Sequence, residues 1–390
     1  MAAFRRIWWA QLASELGDAA GRIALVVLVL ESSNSPAAAG AVLAVSVVPY
    51  LGLGQWLTAR CERFSRRRVL IAADLVRAAC YLGMAADIPL WARFALLFIA
   101  SSASPPFESV RNALVPATLP PDQLADGLAL QVLTNESTRL IGLVAGGVAA
   151  TVASPAAALA VNALTFLVSA ALIAGIDDDV PNELRADVRV RDGWRAIKGD
   201  RIVWRIAWMS PLLVAFGAIP EALVVPYAED SLGRSSATAG VLAALVSASI
   251  LVLAPVLPRK GEHRELVRQA ASFAFVGASC SAVLFALPAN VVVAGLAYIA
   301  IGPVFIGRIN LGAAMAFRVD DHLRASAFSL VDGFISVGQV FAGLGGGILA
   351  DYIGTSPTFV LAMSATAAVG ALAYLRPLRV HSAVSSAVRG

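Results

Sequence analysis

Residues 33–40 read SNSPAAAG and residues 233–240 read GRSSATAG, so four positions match at an offset of 200. At the same offset, Arg60, Glu62 and Arg68 meet Lys260, Glu262 and Arg268. Two later clusters follow in the same order: Asp122, Leu124, Gly146 and Gly147 meet Asp321, Leu323, Gly345 and Gly346 at an offset of 199, and Ser154 and Pro155 meet Ser356 and Pro357 at 202. Matches in one order near one offset indicate an internal duplication.

The repeated unit is too apolar for a water-soluble protein. Apolar residues make up 58% of the chain, only 14% of residues are charged, and the mean hydropathy is +0.76. Soluble domains carry about 25% charged residues, so lipid must surround most of this chain. A membrane span needs roughly 20 apolar residues. The sequence predicts twelve spans, at 7–30, 36–58, 69–86, 90–114, 126–153, 156–176, 202–227, 237–257, 270–288, 291–316, 326–350 and 357–375.

The distribution of basic residues predicts the orientation of these spans. Of the 30 Lys and Arg residues, 22 lie in one set of loops and termini, and only Arg93 and Arg234 lie in the opposite loops. Cytoplasmic loops of membrane proteins carry the basic excess. We therefore expect a multi-pass membrane protein with both termini in the cytoplasm. Arginine outnumbers lysine 28 to 2, which suggests a GC-rich bacterial genome and hence a bacterial inner membrane.

The repeat also predicts the fold class. Backbone groups in lipid must be satisfied internally, so the spans are helices. A repeat unit of six spans keeps one orientation in both copies. In transporters built from such parallel repeats, the substrate site lies between the copies near the midplane. We predict an all-α membrane protein with twelve transmembrane helices in two pseudo-symmetric six-helix bundles, at 1–176 and 202–378. Residues 177–201 form the predicted cytoplasmic linker and 379–390 a cytoplasmic tail.

The loop after the second span reads TARCERFSRRR, from Thr58 to Arg68. It resembles the G-x-L-A-D-R-x-G-R-R motif of the major facilitator superfamily. Arg63, Arg66 and Arg67 fit that motif, and Glu62 takes the place of its Asp. The resemblance implies a cytoplasmic gate formed by charge pairs, with Asp74 of the third span as a partner of the loop. The alternative is a basic loop that only sets orientation.

Two further segments resemble the same superfamily, and within it the drug and siderophore exporters related to the enterobactin exporter. Residues 135–147 read NESTRLIGLVAGG, which resembles the antiporter motif of the fifth helix, with Leu143 in place of its proline. The matching glycines, and their counterparts in the repeat, are expected to pack helices closely: Gly142, Gly146, Gly147, Gly345 and Gly346. Gly17, Asp18, Ile23 and Ala24 resemble the first helix of those exporters.

Charged side chains inside the spans are costly and mark functional sites or structural pairs. Glu15, Asp18 and Arg22 share one face of the first span, with Asp18 near the middle of the bilayer. Ten side chains are candidates to line a substrate cavity and couple transport to protons: Glu15, Asp18, Arg22, Glu108, Arg111, Glu136, Arg139, Glu221, Arg308 and Asp332. Spacings of three residues make Glu136 with Arg139 and Glu108 with Arg111 candidate pairs. For the first span, the alternative is an Asp18–Arg22 pair that only holds helices together.

The leading prediction is therefore a proton-coupled exporter of a small amphipathic or hydrophobic compound, such as a drug, siderophore or secondary metabolite. The alternatives are an uptake permease or lipid transporter on the same fold, and a membrane sensor or scaffold that does not transport. The sequence shows no nucleotide-binding motif and no metal or catalytic constellation, so we expect no enzyme activity and no cofactor. The expected partners are a small-molecule substrate, protons and the lipid bilayer; we expect a monomer and no nucleic acid.

Overall fold

The computed structural model describes residues 2–61, 64–117, 124–175, 190–255 and 263–375. Every long regular element in these ranges is a helix. The first half of the chain contains α1 (Ala2–Ser33), α2 (Pro36–Val47), α3 (Leu53–Cys61), α4 (Arg66–Met84), α5 (Leu90–Ser102), α6 (Ser104–Ala117), α7 (Leu124–Val152) and α8 (Pro155–Ala174). After α9 (Val190–Gly199), the second half contains α10 (Arg201–Ala222), α11 (Val224–Pro226), α12 (Ser236–Leu253), α13 (His263–Ala286), α14 (Val291–Arg318), α15 (Asp321–Ile353) and α16 (Thr355–Leu375).

Serine followed by proline begins two of these helices. Ser35 accepts a hydrogen bond from the backbone N–H of Ala38, at the start of α2. Ser154 accepts one from Ala157, at the start of α8. A serine at the cap satisfies a free backbone donor, and a proline at the first helical position has no N–H that needs a partner. These local signals set where both helices begin.

Three of the predicted spans are broken near proline. A 3-10 turn at Val48–Leu51 separates α2 from α3, and Gly52 follows it with φ 148°. Pro105 and Pro106 lack the N–H groups that would continue α5, so α6 starts as a new helix. The break after α10 exposes the Pro220 carbonyl, which accepts a 2.6 Å hydrogen bond from the buried Tyr298 hydroxyl.

Seven helices in the described ranges are long and apolar enough to cross a membrane. They are α8, α10, α12, α13, α14, α15 and α16. The other predicted spans of the first half carry more charge than α8 or are interrupted. The α1 helix contains the charged residues Glu15, Asp18 and Arg22. The span that begins with α2 is divided at the 3-10 turn. The structure therefore supports a multi-pass helical protein, while the count of twelve spans and the proposed domain boundaries stay predictions.

The two halves pack against each other mainly through two helix pairs, α2 with α15 and α7 with α12. Glycines make both contacts close. A Cβ on Gly40 would overlap the carbonyl oxygen of Gly343, and a Cβ on Gly240 would overlap that of Leu143. Without side chains at these points, the helix backbones touch directly, which is how small residues favour helix association in lipid.

Candidate functional site

The charged face of α1, which the residue spacing predicted, lies at the centre of a polar cluster. Glu15 accepts a 2.8 Å hydrogen bond from Arg111 of α6, a 3.0 Å bond from Gln11 and a 3.3 Å bond from Thr138 of α7. Gln11 also donates to Asn135 at 2.5 Å. Glu15 therefore ties α1 to two other helices of the first half.

Asp18 forms the second junction of this cluster. Its carboxylate lies 3.6 Å from Arg77 of α4, and its side chain remains 34% exposed. Arg77 also pairs with Asp74 and lies over the rings of Phe107 and Phe166, 4.2 and 4.4 Å from their centres. The guanidinium is held on several sides, while Asp18 stays accessible to water and protons.

Two pairs suggested by spacing within one helix, Asp18 with Arg22 and Glu108 with Arg111, are replaced by contacts between helices, whereas Asp74 does pair with Arg77 of its own helix. Asp18 pairs with Arg77 rather than with Arg22, and Glu108 accepts a 2.8 Å hydrogen bond from Tyr50 rather than pairing with Arg111. Long side chains on one face extend into the gap between helices, where a partner from a neighbouring helix is closer than one three residues along. The prediction of these two local pairs was wrong for this reason.

Within the described ranges, one ion pair joins the two halves of the chain. Arg139 of α7 contacts Glu221 of α10, and both side chains are largely buried. Glu136, one turn before Arg139, has a buried Oε2 without a hydrogen-bond partner in the described ranges. An unpaired carboxyl oxygen beside an inter-half ion pair is a second candidate for proton binding.

The remaining charges face open space. Arg22 is exposed and makes no ion pair or hydrogen bond with any residue that the structure describes. Arg308 and Asp332 lie 3.9 Å apart and are 48% and 63% exposed. Exposed charges on membrane helices face a water-filled cavity rather than lipid. We infer that α1, α14 and α15 line such a cavity.

The helix ends that carry Ser35, Thr151, Ser236 and Asp351, called the closed end below, are joined by matching hydrogen bonds. Asp351, near the end of α15, accepts bonds from the Ser35 hydroxyl at 3.0 Å and from the Ala37 N–H at 3.3 Å. Thr151, near the end of α7, accepts one from the N–H of residue 237 at 3.0 Å and lies 2.9 Å from the Ser236 hydroxyl. The Asp351 and Thr151 side chains each cap the first turn of a helix in the opposite half. These two residues are 200 positions apart, which is the offset of the repeat.

The α7 glycines of the predicted packing motif contact two other helices, α1 and α12. Gly142 and Gly146 lie against the α1 backbone, where a Cβ would overlap main-chain atoms. Gly147 faces α12, and its Cβ would lie 2.5 Å from the Ser236 carbonyl oxygen. One helix thus uses adjacent glycines to approach its own half and the opposite half.

Gly345 and Gly346, predicted from the repeat as the counterparts of Gly146 and Gly147, are not the glycines that make the close backbone contacts. A Cβ on Gly345 would meet open space, and one on Gly346 would meet only the Ile219 side chain. Gly343 and Gly347 make the backbone contacts with α2 instead. The choice of Gly345 as a packing residue was therefore wrong, because a run of three glycines allows two alignments.

The predicted gate is only partly described. Glu62 and Arg63 lie outside the described residues. Arg66 and Arg67 begin α4 and are partly buried. Asp74 is fully buried and pairs, among the residues that the structure describes, with Arg77 of its own helix, which also contacts Asp18 of α1. The gating role of the loop stays a prediction.

Comparisons with known proteins agree with the helical fold of this chain. The family model described as Major Facilitator Superfamily matches residues 7–319. Macrolide efflux protein A of Streptococcus pyogenes is 25% identical over 126 residues, which are 31% of this chain and 31% of that protein. The uncharacterized MFS-type transporter YfiS of Bacillus subtilis is 20% identical over 90% of this chain and 87% of its own. The crystal structure of nucleoside transporter NupG covers 96% of this chain and 98% of its own, with 14% identity and a TM-score of 0.76.

Proposed function

This chain belongs to the major facilitator superfamily, and from that premise we propose that it is a proton-coupled exporter of a small amphipathic or hydrophobic compound. The family indicates a membrane transporter of small molecules and not an enzyme. Its bacterial relatives support a bacterial inner membrane.

The observation that carries the proposal is the Arg139–Glu221 pair together with the α1 cluster beside it. Transport requires the two halves to move relative to each other, and an ion pair between the halves must be remade during that movement. A proton can change the balance of such a network, because a protonated carboxyl group no longer attracts its arginine. Protonation of Asp18 would leave Arg77 with Asp74 alone and remove one of the ties that hold α1 to its neighbours.

The direction of transport is proposed from similarity to exporters. The macrolide efflux protein supports export, although the match spans 31% of that protein. The resemblance of the first and fifth helices to exporters supports the same direction. Membership of the enterobactin-exporter branch, action on several drugs, the monomeric state and the cytoplasmic termini all stay predictions.

The closed end fits a resting state in which the cavity is sealed on one side. Asp332 precedes Asp351 by 19 residues on α15, which is roughly 28 Å along a helix. The cavity-facing pair Arg308–Asp332 therefore lies well away from the capping contacts at Asp351. If the basic loops are cytoplasmic, the sealed side is the external one, and the cavity loads from the cytoplasm as an exporter needs.

Proton-driven flux in inverted membrane vesicles tests the proposal. Vesicles that contain the chain should accumulate a fluorescent amphipathic cation or dye when a proton gradient is imposed, and empty vesicles should not. Asp18→Asn, which imitates the protonated carboxyl, should abolish gradient-driven accumulation but preserve exchange without a gradient. Asp87→Asn, in an exposed loop, is the matched control and should behave as the parent protein.

The outcomes separate the alternatives. Gradient-driven loss of dye from the vesicles would indicate uptake into cells instead of export. Normal pumping by Asp18→Asn would make Asp18 structural and move the coupling role to Glu136. If neither a gradient nor exchange produces flux with any amphipathic probe, the non-transporting sensor becomes the better account.

A further inference from the structure

The outer surface of the first half contains a cavity that the transport site does not use. It has a volume of about 300 Å³ and is lined by Arg5, Arg6, Trp9 and Leu172. The Arg6 guanidinium also lies close to Gly175, just beyond the last turn of α8. Because α8 is long and apolar enough to cross a membrane, its last turn lies at the membrane surface. The cavity is therefore at the depth of lipid headgroups.

The cavity has positive charge without a matching carboxylate. Arg5 and Arg6 are both exposed, and neither forms an ion pair or hydrogen bond with a residue in the described ranges. Two guanidinium groups that line one cavity concentrate positive charge there, which favours a bound anion. Arginine is suited to phosphate because its planar fork donates two parallel hydrogen bonds.

An apolar surface continues from the cavity towards the membrane interior. Val161, Leu164 and Val168 are each more than half exposed along α8, at spacings of three and four residues. Leu172 continues the same stripe into the cavity. Trp9, which is 52% exposed, also lines the cavity. Its amphipathic ring is suited to the interface between membrane and water. The site therefore offers contacts for an anion and for apolar chains together.

We propose that this cavity binds an anionic phospholipid of the adjacent leaflet. Arg5 and Arg6 hold the phosphate, and an acyl chain lies along the exposed stripe of α8. A free phosphate ion would satisfy the arginines but not the apolar stripe, so the lipid is the occupant to which the geometry commits. This binding is independent of the transported substrate and of the direction of transport.

Tryptophan quenching by brominated lipids tests this proposal. The full chain is reconstituted in phosphatidylcholine vesicles that contain a minor fraction of brominated phosphatidylglycerol or, separately, the same fraction of brominated phosphatidylcholine. The signal of Trp9 is obtained as the difference between the parent protein and Trp9→Phe. A basic residue near an anionic membrane surface adds a characteristic free energy to the binding of anionic lipid. For two arginines, the sum corresponds to a roughly 30-fold preference for the anionic lipid. Brominated phosphatidylglycerol should therefore quench Trp9 far more strongly than brominated phosphatidylcholine.

Variants identify the residues responsible. Arg5→Gln with Arg6→Gln should remove the preference, and Arg5→Lys with Arg6→Lys should retain part of it while preserving the charge that sets orientation. Arg264→Gln with Arg268→Gln, two arginines near the start of α13, is the control and should leave Trp9 quenching unchanged. The lysine variant keeps the test valid if the glutamine variant does not fold.

Three results would overturn the proposal. Equal quenching of Trp9 by the two brominated lipids would show that the cavity does not select an anion. A preference that survives Arg5→Gln with Arg6→Gln would place the selection elsewhere. Relief of quenching by soluble inorganic phosphate, at an ionic strength matched with chloride, would identify a free-phosphate site instead of a lipid site.

Discussion

Removing the Asp351 carboxylate should open the closed end of the molecule. Asp351 accepts hydrogen bonds from the Ser35 hydroxyl and the Ala37 N–H, and its charge lies at the N-terminus of α2. A hydrogen bond to a charged group contributes about 1.5–3 kcal/mol, and a charge at a helix N-terminus about 0.3–1 kcal/mol. Because Asp351 is exposed, water weakens these contributions. We expect Asp351→Ala to favour the open form by about 1.5 kcal/mol, a roughly tenfold change in the equilibrium.

The contact at Thr151 provides an internal comparison. It has similar geometry but no charge, so Thr151→Val should favour opening by about 1 kcal/mol, or roughly fivefold. The two contacts lie on different helix pairs and share no residue. Their effects should therefore add, giving roughly a fiftyfold shift in the double variant.

Distances between spin labels measure this equilibrium. Labels at Asp87 and Ala289, in exposed loops of opposite halves, should report a longer distance when the closed end opens. The native cysteines Cys61, Cys80 and Cys280 must first be replaced. Glu31→Gln is the matched control, since Glu31 is an exposed carboxylate near the same end with no hydrogen bond or ion pair to the described residues. Unchanged distance distributions in the Asp351→Ala, Thr151→Val double variant would refute the reasoning.

Three other predictions follow from the same structure. Arg139→Glu or Glu221→Arg alone should abolish transport in the vesicle assay by leaving two like charges together, while the combined exchange should recover part of it; no recovery would mean that the pair does more than attract. Gly147→Val should weaken closure and lower the melting temperature in detergent, because its Cβ has no room against α12, whereas Gly345→Val should have little effect; equal effects would contradict the assigned packing. A single cysteine replacing Asp192 should resist an impermeant reagent applied to intact cells, and labelling from outside would reverse the proposed orientation.

The charged face of α1 shows what could be predicted about the site. Spacings of three and four residues place Glu15, Asp18 and Arg22 on one side of any helix, whatever surrounds it. Their partners could not be predicted in the same way. Arg77 and Arg111 come from helices far away in the chain, and only the packing of those helices decides which charges meet.

The sequence by itself determined that this is a helical membrane protein with an internal repeat, because apolar length and composition depend on the solvent and not on the neighbours of each residue. It also identified most charges of the central cluster. Only the tertiary structure decided the register of the repeat in α15. The glycine run there fits offsets of 199 and 200 equally well in sequence, but Gly343 and Gly347 touch α2 while Gly345 does not. A helix face is chosen by which side chains would collide with the neighbouring backbone, and that information exists only when both helices are in place.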